Sequence, residues 1–126
     1  MSDLAGPLAS RGERVELVPD GADRLTVVRA SSGETLGRVE VRGGLAHEEL
    51  LIWELCIEPE HRGYGAGSEA ARLLAGTAKS AGWASLRARA HPEYGLSVYF
   101  WIRMGFRPLH GEGPEGGIWF VRDLAR

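Results

Sequence analysis

The sequence predicts one domain of the α/β (α+β) class, a mixed, mostly antiparallel sheet carrying helices. Three observations point there. Short alternating segments separated by turn signals fill the first half. An almost continuously apolar run, Leu50–Ile57, then enters a glycine-rich stretch and an amphipathic segment. A further alternating segment and a closing pair of strand-like segments follow. At 126 residues the chain can bury a core without disulfides or metals.

Taken in order, Met1–Gly12 is rich in Gly, Ala, Ser and Pro and is expected to be a flexible leader. The domain then runs from residue 13 to 126. Arg14–Val18 alternates weakly, and Pro19-Asp20-Gly21 is a turn signal. Leu25–Ala30 is β-branched at its centre, and Ser31–Glu34 is a second turn. Leu36, Val39 and Val41 alternate with charges until Gly43-Gly44, which completes an antiparallel meander. The run LLIWELCI suggests a strand covered on both faces. The spacing predicts a helix over Gly65–Ala81. Its inner stripe is Ala70, Leu73, Leu74, Thr77 and Ala81, its wet face is Glu69, Arg72, Gly76 and Lys79, and Gly82 ends it. Ala84–Ala90 alternates as a strand until His91-Pro92-Glu93. Leu96–Met104 has high β propensity yet runs into Arg103-Met104-Gly105, a helix-like end. Phe106–His110 and Ile118–Leu124 flank the turn-rich Gly111–Gly117 as a closing hairpin.

Composition narrows the function. Hydrophobic residues make up 44% and charged residues 25%, the balance of a soluble globular protein. Fifteen basic against seventeen acidic side chains give a net charge of −2, which argues against a nucleic-acid binder acting through bulk charge. No apolar run reaches the length of a membrane span. Met1–Gly12 has no basic region followed by an apolar block, so no signal peptide is expected, and the expected compartment is the cytoplasm. The single cysteine, Cys56, excludes an internal disulfide and a cysteine-cluster metal site. His47, His61, His91 and His110 lack metal-ligand spacing, so no metal is expected.

The chemistry concentrates in Ile57–Gly67, where an apolar strand enters a glycine-rich turn and then a helix. Such a turn exposes N–H groups with no side chains in the way. The helix N-terminus adds partial positive charge, and Arg62 can add a bidentate contact. Together they suit a phosphate or pyrophosphate. As bare glycines they serve equally well for tight strand-to-helix packing. The stretch lacks the Gly-Lys-Ser/Thr end of a P-loop and the spacing of a dinucleotide fingerprint.

The wider pattern is more specific. Arg62-Gly63-Tyr64-Gly65-Ala66-Gly67 resembles the Arg/Gln-x-x-Gly-x-Gly/Ala motif of the GCN5-related N-acetyltransferase (GNAT) superfamily. Leu55–Pro59 looks like that family's fourth strand, Met104-Gly105-Phe106 like its Gly-Phe signature, and Trp119–Leu124 like its closing strand. The resemblance covers Leu50–Leu124, and Arg14–Arg42 by strand order. It implies a splayed sheet, and it makes Leu96–Met104 a helix. It implies acetyl-coenzyme A as cosubstrate, bound in the splay between the family's fourth and fifth strands. By this resemblance Gly63, Gly65, Ala66 and Gly67, with Tyr64 among them, hold the pyrophosphate between Arg62 and Ser68. The backbone of Cys56 and Ile57 pairs with the pantetheine arm like an added strand.

The family's reaction is attack of an amine on the thioester, which needs a group to take the amine's proton. Glu54 is the candidate general base. Burial among Trp53, Leu55 and Ile57 would raise its pKa toward a useful value. The competing reading pairs Glu54 with Arg87 or Arg89 on the neighbouring strand.

Two departures from the family stand out. The tyrosine that many members carry four residues before the glycine of Gly-Phe, as general acid, is Trp101 here. Tyr99 lies about 200° around a helix from it. Tyr94 stands where the family often has Asn. Only Pro19–Arg24 separates the first two strands of the motif, so the usual two helices between them are missing. That leaves the acceptor side open or covered by a second subunit, and the apolar Leu96–Ile102 segment suggests either a homodimer contact or cover by the closing hairpin. The expected function is acetyl transfer to a primary amine on a small molecule or peptide. The alternative is a catalytically silent acyl-coenzyme A binding or interaction module. Glutamates 48, 49, 54, 58 and 60 form either an ordinary solvated face or an acidic rim favouring a cationic amine.

Overall fold

A computed structural model describes residues 3–44, 46–90, 95–109, 113 and 117–124 of the chain. Among the described residues eight strands form one sheet: β1 (Ser10–Arg11), β2 (Val15–Pro19), β3 (Arg24–Arg29), β4 (Thr35–Gly43), β5 (Glu49–Ile57), β6 (Ser85–Ala90), β7 (Arg107–Pro108) and β8 (Ile118–Asp123). Helix α1 (Ala66–Ser80) connects β5 to β6, and α2 (Gly95–Arg103) lies between β6 and β7. The sheet order is β1-β2-β3-β4-β5-β6-β8-β7. Every pairing is antiparallel except β5 with β6, which α1 joins as a parallel pair.

Alternation places Leu17, Leu25, Val27, Val39, Val41, Leu50, Ile52, Leu86, Ala88 and Phe120 on one face of the sheet, all buried. Ala70, Ala71, Leu74, Ala75 and Ala78 of α1, with Trp101 of α2, complete the same core. The inner stripe of α1 is thus rotated toward alanines. Leu73 and Thr77 sit on its margin and Ala81 is exposed, because small residues let the helix lie close to the sheet. Gly65 caps the helix at φ +85° and Gly82 leaves it at φ +95°, so its bounds follow the expected span closely.

The opposite face carries Arg38, Glu40 and Arg42 on β4, Trp53, Glu54 and Cys56 on β5, and Arg87 and Arg89 on β6. Among the described residues no helix covers it. Instead, Trp53 stacks between the guanidinium groups of Arg42 (3.9 Å) and Arg89 (3.8 Å), and Arg87 lies 5.3 Å over Trp119. This layer shields Leu51 and Val121, which are buried on that side. The expectation that Leu50–Ile57 is covered on both faces therefore holds only for its first part.

The expected flexible leader is corrected from residue 3 onward. Ala5 and Leu8 are fully buried, Gly6–Leu8 forms a 3₁₀ turn, and Ser10–Arg11 pairs with β2. Two apolar side chains suffice to dock the segment against α1 despite its Gly/Pro-rich composition. The turns expected at His91–Glu93 and over most of Gly111–Gly117, and the position of Tyr94, lie outside the described residues.

Candidate functional site

The site is built by the separation of two strands. β5 pairs with β6 only from Glu49↔Ser85 to Ile52↔Ala88. Beyond that, β5 runs on to Ile57 beside β4 alone, while Arg89 and Ala90 stay with β8. The parting begins at a bulge. Glu40 faces Glu54 but Val41 faces Ile52, so Trp53 is an extra residue in β5. Arg89 bridges the opening there, its Nε donating to the Trp53 carbonyl at 2.6 Å.

Strand geometry then decides which peptide groups line the gap. The Glu58 amide donates to the Leu36 carbonyl at 2.8 Å, so it faces β4. By alternation the peptide groups of Glu54 and Cys56 face β4 too, and those of Leu55 and Ile57 face the gap. This corrects one expected pair. Ile57 presents its backbone to the gap, but Cys56 does not; Leu55 takes its place. The sequence order could not show this, because the phase of the alternation depends on how β4 and β5 register.

At the end of β5, Pro59–His61 makes a 3₁₀ turn and the glycine-rich loop leads into α1. Gly63 (φ +89°) and Gly65 (φ +85°) occupy the left-handed region, where a side chain strains the backbone. Gly67 has no such constraint; a Cβ there would meet Ile57 and Phe100 at 3.5 Å, in ordinary contact. The first turn of α1 has no side-chain cap among the described residues. The amides of Ala66, Gly67 and Ser68 have no partner within the helix and are available to an anion. Tyr64 is exposed, its carbonyl accepting from Arg14 Nη1 at 2.6 Å. Arg62 is exposed, with its Nε donating to the Ile57 carbonyl at 2.7 Å.

A clamp that sequence reasoning missed fixes this loop from the far edge of the sheet. The Glu69 carboxylate accepts the amides of Glu13, Arg14 and Val15 at 3.0, 2.7 and 2.7 Å. It brings Arg14, just before β2, onto the N-terminus of α1. Nothing local in Glu13–Val15 signals this; the one available hint was a glutamate in the helix's first turn.

Glu54 stands on the bare face, next to the gap. It is paired with an arginine, but neither of the two expected ones: Arg38 on β4 donates to its Oε1 at 2.8 Å. Arg87 is taken by Glu49, at 2.9 Å, and Arg89 by the Trp53 carbonyl. The expected burial of Glu54 is also corrected: its side chain remains 32% exposed, because no helix among the described residues lies over the face it stands on. The Glu48–Glu60 glutamates do not form one rim. Glu49 is buried, Glu54 faces Arg38, and Glu58 and Glu60 lie at the 3₁₀ turn. There Glu58, Glu60 and His61 bring their ligand atoms within 4.8 Å of one another, a partly exposed grouping that histidine spacing did not suggest.

Trp101 is buried, with edge-on contacts to Phe100 (5.0 Å) and Phe106 (4.9 Å), and acts as a packing residue. Tyr99 is 69% exposed and makes no hydrogen bond among the described residues.

No protein-family model matches this chain, and no curated protein does. Solved structures do. Nourseothricin acetyltransferase is 23% identical, with 85% of this chain and 69% of that one aligned at a TM-score of 0.66. An acetyltransferase of the GNAT family from Staphylococcus aureus is 14% identical over 80% of this chain and 66% of that one, also at 0.66. PaiA N-acetyltransferase from Thermoplasma acidophilum, in complex with coenzyme A, is 15% identical over 80% and 61%, again at 0.66. Together with the parted strands and the glycine loop at their mouth, these likenesses show that the chain has the GNAT acetyltransferase fold.

Proposed function

We propose that this protein transfers an acetyl group from acetyl-coenzyme A to a primary amine. The observation that carries the reading is the coincidence of three features at one end of β5. These are the gap after Ile52, the gap-facing peptides of Leu55 and Ile57, and the uncapped N-terminus of α1 behind Gly63 and Gly65. An arm with regularly spaced amides can pair with such a strand edge, and a diphosphate can accept from the loop and helix amides. Coenzyme A has both parts, and one structure of the same fold was solved with it bound.

The residues divide the work. Leu55 and Ile57 align the arm, and the amides from Gly63 to Ser68 hold the phosphates with Arg62. Glu54, at the bulge where the strands part, takes the proton from the incoming amine, directly or through one water. Arg38 orients the carboxylate through Oε1 and leaves Oε2 free of hydrogen bonds among the described residues. When bound, the coenzyme supplies the thioester: a C–N bond forms as the C–S bond breaks. Among the described residues no tyrosine stands ready to protonate the departing thiolate, and solvent can supply that proton. The bare face beside Glu54 gives the acceptor an open approach, consistent with a small molecule or a peptide.

A second reading is favoured by one specific observation. Trp101 is a core residue and Tyr99 faces solvent, so neither of these two residues can stand in for the family's usual acid. In that reading the chain binds acyl-coenzyme A without turning it over.

Calorimetric titration with acetyl-coenzyme A tests the shared first step, and Gly67→Glu is the control. A Cβ at Gly67 would meet Ile57 and Phe100 in ordinary contact, so glutamate there puts bulk and negative charge where β5 meets the start of α1, and the variant's melting temperature checks that it folds. Saturable binding by the wild type that is lost in Gly67→Glu is the expected result. A folded wild type that binds no coenzyme refutes the reading. Binding without turnover over a broad amine panel selects the silent module.

A further inference from the structure

We infer that Arg62 is a specificity-determining residue. It guards the strand edge in the free protein and yields it only to a carrier that brings phosphate. The inference rests on the coenzyme A reading above. The motivating observation is where the side chain lies. A residue that only gathered phosphate would reach forward over the loop. Arg62 instead folds back onto β5, with Nε donating to the Ile57 carbonyl at 2.7 Å and Nη2 lying 4.0 Å from Cys56 Sγ.

That carbonyl faces the gap, as the Glu58–Leu36 hydrogen bond fixes by alternation. It is therefore an acceptor that an arm docking as an added strand must use. Arg62 Nε already donates to this oxygen at 2.7 Å, so an arm amide that reaches the same carbonyl must either share it with the guanidinium or displace it.

Phosphate resolves the competition. An anion on the open amides of Ala66, Gly67 and Ser68 stands at the end of the short loop that Arg62 begins. A guanidinium–phosphate contact is charged and bidentate, roughly twice as strong as a bond between neutral partners. The side chain accordingly exchanges the Ile57 carbonyl for the phosphate and opens the edge. A carrier with the same arm but no phosphate gives Arg62 nothing in exchange and must displace it unaided. The site thus selects among thioester carriers by their phosphate as well as by their arm.

The test compares coenzyme A with pantetheine, its phosphate-free arm, on the wild type and on Arg62→Ala. Because Arg62 is exposed, the variant should fold, and its melting temperature checks that. Loss of the competing hydrogen bond should tighten pantetheine binding about 2- to 10-fold. The same change should weaken coenzyme A about tenfold through the lost phosphate contact. Opposite signs are the signature, since a purely structural role for Arg62 would move both affinities the same way. Pantetheine bound no better by Arg62→Ala than by the wild type, including no detectable binding by either, overturns the inference. If the wild type binds coenzyme A normally in that case, the coenzyme reading survives alone. If the wild type binds no coenzyme A, both fall.

Discussion

The two halves of β5 come from one apolar run and do different things. Glu49–Ile52 is paired on both sides and buried; Trp53–Ile57 is paired on one side and half-buried. The change falls at one extra residue, Trp53, whose bulge turns the strand away from β6. A core strand becomes an open edge with little change in hydrophobicity, because what changes is backbone pairing. Local composition therefore says little about where a core ends and a site begins.

The sharpest way to break this comparison uses the two glutamates of the strand, each paired with an arginine. Glu49 is 3% exposed, holds Arg87 at 2.9 Å and accepts the Ala46 amide. Glu49→Ala leaves the part-buried Arg87 guanidinium without its carboxylate and should destabilise the fold by about 2–4 kcal/mol. Glu54→Ala removes a half-exposed pair and should cost no more than about 1 kcal/mol. Glu54→Gln should instead lower acetyl transfer about 10²- to 10⁴-fold with coenzyme binding intact. Urea unfolding and steady-state rates on the three variants decide it. Unchanged turnover in Glu54→Gln removes Glu54 from the chemistry.

A second pair, of smaller effect, compares packing. Ile52 lies just before the bulge and is fully buried, so Ile52→Ala should destabilise by about 2–5 kcal/mol. Leu55, just after it, only borders the core, and Leu55→Ala should lose about 1 kcal/mol. Equal losses would mean that the gap is closed and packed in solution.

Much of this was legible in the sequence, for reasons that also mark the limit. Alternation in Leu36–Arg42 and Ala84–Ala90 and the helix over Gly65–Ala81 follow from short-range periodicity, and the observed elements match them within a residue or so. Gly63 and Gly65 were readable because only glycine takes their φ freely. What could not be read depends on register. The Arg38 partner of Glu54 and the choice of Leu55 over Cys56 both follow from how β4 pairs with β5 across the bulge. A one-residue slip would reverse them. The Glu69 clamp joins positions more than fifty apart, and the docking of Ala5 and Leu8 depends on a surface that α1 supplies.

The smallest expected effect concerns Trp53 itself, and it separates the bulge from the ring. The indole lies between Arg42 and Arg89, and each contact is worth about 0.5–1 kcal/mol at a partly exposed site. Trp53→Ala should therefore cost about 1–2 kcal/mol in urea unfolding. The parting of the strands has a different support. Arg89 Nε holds the Trp53 carbonyl, a backbone group that alanine keeps, and the extra residue is still present. Coenzyme A affinity should then stay within about twofold of the wild type, since neither backbone contact is lost. A loss of tenfold or more would show that the stacked ring, and not the bulged backbone, keeps the gap open. The division of β5 would then be a property of its side chains after all.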